Sequence, residues 1–370
     1  MEQKKMKTTN IASKIIKEVR EKGDSAILRY NILFDKKYNK RFEITRKQIR
    51  ECYKKADKET IKAIKYAIKN IEEFAKAQLK QLKNFELKRE YGIIGQKIVP
   101  IEKVGCYVPG GNFPLLSSAL MSIIPAKIAG VNDIIVCSPK IKPDVIVAAD
   151  LAGANRIFDV GGVQAIAALA YGTKQIPKVD KIVGPGNKYV QEAKKQVFGD
   201  VGIDFIAGPS EIMIIADETA NMNFINADLA AQKEHDKGVK VWLIKASSKS
   251  DKQIEEAIKK ANEIAPEHLE LFVKKFNKYI KGLRNYGSLF IGYNSGVVFG
   301  DYCSGTNHIL PTNKASKYAG GLSVRDFIKV QTYQKIKPNK KLMKMTIKLA
   351  ELEGLKKHKK SAEIRLKKKN

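Results

Sequence analysis

The sequence predicts an α/β protein with two parallel-sheet domains and helical extensions at both ends. Three observations carry that prediction. From residue 98 onward, strand, short turn and helix recur at roughly 25-residue intervals, the pattern of a parallel sheet covered on both faces. Glycine-bearing turns, among them Pro109-Gly110-Gly111, Gly161-Gly162 and Gly184-Pro185-Gly186, punctuate the repeats. Before residue 90 only helical spacing is visible, as in Ile11, Ile15, Ile16 and Val19 and in Ile61, Ile64, Ala67, Ile68 and Ile71.

Taken in order, residues 1 to about 90 read as helices, and the lysine-rich 59–87 stretch as one long, moderately amphipathic helix. Strands follow at 104–108, 133–137, 157–160 and 181–183, with helices at 115–129, 144–152, 164–171 and 187–197. Residues 203–206 and 212–216 read as strands around Ala207-Gly208-Pro209-Ser210-Glu211, and 224–234 as a helix. A smaller α/β unit then has strands at 239–244, 269–273 and 288–291 and a helix at 252–264. Residues 300–308 read as a loop. Leu342, Met345, Leu349 and Leu352 stripe a final helix over 340–358, which packs on another subunit or on its own body. The boundaries are 1–95 (helical), 96–220 (first α/β domain), 221–330 (second, shortened α/β domain) and 331–370 (helical).

At 370 residues and 44% hydrophobic, the chain can bury a sizeable core. It has no apolar run of about 18 residues, so no transmembrane helix is expected. The charged N-terminus does not read as a signal peptide. Cys52, Cys106, Cys137 and Cys303 form no CxxC pair, which points to a reducing compartment, by default the cytoplasm. A net charge of +30 fits either a polyanion partner or a solvated lysine-rich surface. Lysine far outnumbers arginine and no nucleic-acid-binding motif is present, which favours the solvated surface.

The chain has four histidines, His235, His268, His308 and His358, against 69 Lys and Arg. Such scarcity suggests that all four serve one site. Gln232 and His235 are three apart on a helix and share a face, a spacing that suits two ligands of one metal. Asp301, His308 and His358 supply further donors, and such an oxygen and nitrogen set suits zinc or another divalent ion. Each has a plainer reading as a hydrogen-bonded polar residue. Glu267 and His268, adjacent before a strand, suit two separate proton transfers, or simply a surface pair. Gly184-Pro185-Gly186-Asn187-Lys188-Tyr189 follows a strand and opens a helix, but Tyr189 stands where GxGxxG needs its third glycine. Its glycines either make tight turns or present backbone N–H groups to an anionic ligand.

With these residues assembled, the chain resembles histidinol dehydrogenase. The resemblance is carried by Tyr107-Val108-Pro109-Gly110-Gly111, Val160 to Leu169, Val179 to Asn187, Ala207-Gly208-Pro209-Ser210-Glu211, Gln232 to His235, Pro266-Glu267-His268-Leu269, Gly300 to Thr312 and Glu353 to His358. It implies incomplete Rossmann-like domains, a domain-swapped homodimer, and two NAD-dependent oxidations of L-histidinol through the aldehyde to L-histidine. It further implies one zinc ion per subunit on Gln232, His235, Asp301 and His358, the same residues lying at the substrate. His268 is then the base and Glu267 activates water. Ser210, His308 and Glu353 contact substrate, along with His268. Tyr107, Gln164 and Asn187 contact NAD, and the partner subunit supplies the C-terminal segment. Glu353 and His358, five apart, lie about 140° apart on an unbroken helix, so Gly354 is expected to mark a change of geometry. The chain is shorter than typical members, mainly at the N-terminus and between His235 and Glu267. Lys233 replaces a small residue. Neither Cys106 nor Cys303 is expected to act as a nucleophile. Two other readings stay open: oxidation of another small alcohol, and a non-catalytic, polyanion-binding relative.

Overall fold

The computed structural model describes residues 2–110, 114–235 and 238–366; the side chains of residues 2–5, His235 and Leu366 lie outside that description, as does Gly111 of the first glycine turn. The chain divides into two units, one made of Met1–Leu79 and Ile101–Phe327, the other of Lys80–Pro100 and Ile328–Asn370.

The first unit holds two wholly parallel sheets. In the first, Lys103–Tyr107 lies at the centre, with Asp133–Cys137 and then Arg156–Phe158 on one side. On its other side come Lys181–Val183 and Gly202–Ile203. Strand order therefore reverses at Lys103–Tyr107, and a ligand crevice opens at the carboxyl ends of strands around such a point. Helices Gly162–Tyr171 and Lys188–Val197 bury their apolar faces here against Ala12, Ile15, Ile16 and Val19 of the N-terminal helix Glu2–Lys22. The predicted helical spacing of that first segment is thus its core-facing stripe.

In the second sheet the order is Ser288–Ile291, His268–Phe272, Glu211–Ala216, Lys240–Lys245. The two central strands are buried along their whole length. Ile254, Ala257, Ile258 and Ala261 of helix Asp251–Ile264 close one face. Ile225 of helix Met222–His235 and Val297 of helix Val297–Tyr302 belong to the core on Ile212 and Ile214.

The second unit differs from the sequence reading. Helix Lys58–Lys80 stops short of residue 87, and Phe85–Arg89 and Gly92–Pro100 form an antiparallel hairpin. Ile328–Ile336 adds a third strand, in register from Ile328↔Pro100 to Ile336↔Gly92. Every residue of Phe85–Arg89 is exposed, so no buried face imposes a recognisable period on that strand. The single helix expected over 340–358 is two, Lys340–Leu352 and Lys356–Leu366. Gly354 breaks it at φ 71°, a left-handed conformation that favours glycine, as anticipated.

Candidate active site

The second sheet delivers the acid and the imidazole. His268 opens the strand His268–Phe272, paired with Ile212 on one side and Ser288 on the other, and is 4% exposed. Glu267 precedes it. Strand alternation predicts opposite directions for two adjacent side chains. Here both line one cavity of about 270 Å³, because Glu267 sits before the ladder begins. Ser210, Gln232, Asp301 and His308 line the same cavity.

Hydrogen bonding fixes the tautomer of His268. Its Nδ1 lies 3.1 Å from the backbone oxygen of Glu211. A carbonyl only accepts, so Nδ1 carries the hydrogen, and in the neutral ring the lone pair is on Nε2. Nε2 lies 3.8 Å from Oδ1 of Asp301. The Glu211 backbone works in both directions, since its N–H donates to Oε2 of Glu267 at 2.9 Å. Burial pushes the Glu267 carboxyl well above the ordinary range; that hydrogen bond offsets part of the rise, and the charges of Glu211 and Asp301 add to it. A carboxylate raised in this way is a stronger base.

Asp301 was expected in a loop. It lies instead in the last turn of the short helix Val297–Tyr302. His308 reaches back, with Nδ1 2.7 Å from the Asp301 backbone oxygen, so the two residues are linked through main chain. Burial alone pushes the Asp301 carboxyl up to about 7. Nothing cationic offsets it among the described side chains. A divalent ion would supply that missing charge, and Gln232, 2% exposed, presents an amide to the same cavity. The residues present therefore fit a metal. The described residues show no cluster of three His, Cys, Asp or Glu, and the His235 side chain is outside them. Glu353 and His358 belong to the second unit, Glu353 just after helix Lys340–Leu352 and His358 within Lys356–Leu366, both exposed. Lys233 is exposed on its helix.

A second cavity, of about 590 Å³, opens at the strand-order reversal of the first sheet. Tyr107, Gln164 and Asn187 line it, with Gly161, Gly162, Pro139 and Asp35. The Tyr107 hydroxyl accepts the Gly162 N–H at 3.1 Å, and Asn187 caps helix Lys188–Val197 by accepting from Tyr189 and Val190 at 3.0 and 3.2 Å. Two helix N-termini thus face this space and favour an anionic ligand. Gln164 is 1% exposed, and its Oε1 finds no hydrogen-bond partner among the described residues. It is an acceptor held ready for a ligand donor, which fits a dinucleotide. Pro109 lines both cavities, and Gly186 in one adjoins Asn187 in the other.

Two features escaped the sequence reading. Glu211 orients both Glu267 and His268 through its backbone, which no side-chain motif signals. Pro109, though noted as a turn, is the wall shared by the two cavities. Cys106 is fully buried and its thiol is pushed up to about 12 by burial, as suits a core residue and not a nucleophile. No helix among the described residues is long and apolar enough to cross a membrane.

A profile of the family described as histidinol dehydrogenase matches residues 1–261 and 250–366. The chain is 42% identical to histidinol dehydrogenase of Methanocaldococcus jannaschii, covering 95% of this chain and 91% of the relative. It is 39% identical to that of Thermus thermophilus, over 95% and 93% of the two chains. The crystal structure of histidinol dehydrogenase from Elizabethkingia anophelis matches with a TM-score of 0.90 at 35% identity, over 97% of this chain and 92% of that one.

Proposed function

We infer the activity of this chain from a plain premise: it belongs to the histidinol dehydrogenase family. It oxidises L-histidinol to L-histidine in two NAD-dependent steps at one site, closing histidine biosynthesis. The observation that carries this reading is the pair of cavities meeting at Pro109, one lined by Tyr107, Gln164 and Asn187, the other by Glu267, His268 and Asp301.

Gln232, His235, Asp301 and His358 would hold zinc, and Tyr107, Gln164 and Asn187 would hold NAD. Bound there, the metal would supply a Lewis acid that orients the substrate, and the dinucleotide would supply the hydride acceptor. Ser210, His308 and Glu353 complete the substrate contacts. His268 Nε2 takes the carbinol proton, a role its fixed tautomer suits. Glu267, with its raised carboxyl, removes a proton from the water that adds to the aldehyde carbon, while the aldehyde oxygen takes back the proton held on His268, forming the hydrate that the second oxidation consumes. Holding the aldehyde between the two steps needs no diffusion of a reactive intermediate.

The first sheet reads as an incomplete Rossmann-like sheet, five strands in the order of a dinucleotide-binding fold that ends before the sixth. The protein acts in the cytoplasm as a domain-swapped homodimer, each site drawing Glu353 and His358 of the partner subunit. The test is NADH formation from L-histidinol by the zinc-loaded protein. It should proceed with zinc, stop on chelation and return when zinc is restored. Absence of turnover with zinc present, or turnover indifferent to the chelator, contradicts the reading.

A further inference from the structure

Between the two cavities runs one turn, Gly184-Pro185-Gly186-Asn187. Pro185 and Gly186 line the smaller cavity, and Asn187 lines the larger. Gly184 takes φ 115°, and a Cβ there would stand 2.1 Å from the Tyr107 backbone oxygen, so the turn lies hard against the central strand.

Both polar groups of the Gly184 residue are gripped by buried charges. Asp204 Oδ2 accepts its N–H at 2.8 Å, and Lys194 Nζ donates to its carbonyl oxygen at 2.9 Å. Lys194 and Asp204 also pair with each other, their side chains 1% and 0% exposed. Helix Lys188–Val197 places Asn187, Gln191 and Lys194 at i, i+4 and i+7, along one face. Gln191 continues the line, donating to the Gly186 oxygen at 3.3 Å and accepting the Ala207 N–H at 3.0 Å. Ala207 starts the segment that carries Ser210 into the smaller cavity.

A buried ion pair contributes little net stability, because desolvation offsets the attraction, so two apolar residues of similar volume would serve a core as well. This pair provides direction instead. Its second set of bonds is spent on a single residue of the turn that separates the two ligand spaces. We propose that Lys194 and Asp204 are positioning residues for the dehydrogenation, clasping Gly184 so that Pro185, Gly186 and Asn187 set the relation of dinucleotide to substrate. The proposal rests on the reading that the two cavities take those ligands.

The experiment compares two double variants of the zinc-loaded, full-length protein, because either single change strands a buried charge. Lys194→Met/Asp204→Leu removes the clasp; Lys194→Met/Asp204→Asn keeps an acceptor for the Gly184 N–H. The clasp predicts that the first loses roughly 10-fold or more in kcat and binds NADH severalfold more weakly, with zinc content unchanged. The second should recover part of both losses. Equal constants in the two variants, or constants within about twofold of the unaltered chain, overturn the proposal and leave a structural pair. If the Leu variant fails to fold, the Asn variant is set against the unaltered chain, where an unchanged NADH affinity overturns it and a weakened one supports it. Turnover by the unaltered chain tests the underlying reading. NADH affinity, measured by fluorescence titration, tests the clasp even without turnover.

Discussion

At the scale of single residues, a backbone group decides the chemistry of the side chains. The Glu211 carbonyl commits His268 to one tautomer, and its N–H holds Glu267 against the same cavity. His268→Asn should therefore lower alcohol oxidation by about 10³-fold while leaving zinc in place. His235→Asn should lose zinc. Metal analysis of the two purified variants checks this, and equal zinc content would sink the division of roles. A second prediction concerns Glu270, fully buried two residues along the same strand. Burial pushes its carboxyl up to about 8, with the Asp228 charge adding to the rise. The folded state binds this proton more tightly than the unfolded chain does. The stability linked to it is thus fully present in acid, and is lost as pH rises from the ordinary value of 4.5 through about 8. Thermal melts from pH 5 to 9 should fall more steeply for the unaltered chain than for Glu270→Gln. Parallel curves would show that the proton is not held there.

Among the elements, burial decides what the sequence makes legible. Strands such as Asp133–Cys137 and Lys181–Val183 are apolar runs bounded by glycine turns, and their boundaries could be read closely. The hairpin of Phe85–Arg89 and Gly92–Pro100 could not, because its first strand is exposed and its third partner, Ile328–Ile336, arrives far later in the chain. Of the four scarce histidines expected to share one site, His268 and His308 line the cavity, while the His235 side chain lies outside the described residues and His358 is in the second unit. The helical setting of Asp301 and its link to His308 were not legible, since both depend on main chain. The break at Gly354 was legible because glycine costs about 1 kcal/mol inside a helix. Its φ of 71° has a consequence for the segment that carries Glu353 and His358. Gly354→Ala should cost about 1 kcal/mol locally and raise KM for histidinol several-fold, with Gly354→Asn milder because asparagine tolerates that conformation. Steady-state kinetics of the two variants decide it. An unchanged KM in the alanine variant would show that the break has no part in aiming the segment.

For the whole molecule, the homodimer reading makes each site a product of two chains. On that reading, a subunit carrying His268→Asn and one carrying His358→Asn should each be nearly inactive alone. Mixed dimers retain one site with both defects and one with neither, so co-expression should restore about a quarter of full activity. No recovery in a mixture shown to contain mixed dimers would place His358 in its own subunit's site. The charge of +30 belongs to this scale too. As a solvated surface, it should leave turnover insensitive to added nucleic acid.

Two successive oxidations at one site leave a stoichiometric signature. With limiting L-histidinol and excess NAD, zinc-loaded protein should form two NADH for every L-histidine released, with no aldehyde accumulating in solution. One NADH per substrate, with free aldehyde as the product, would contradict it.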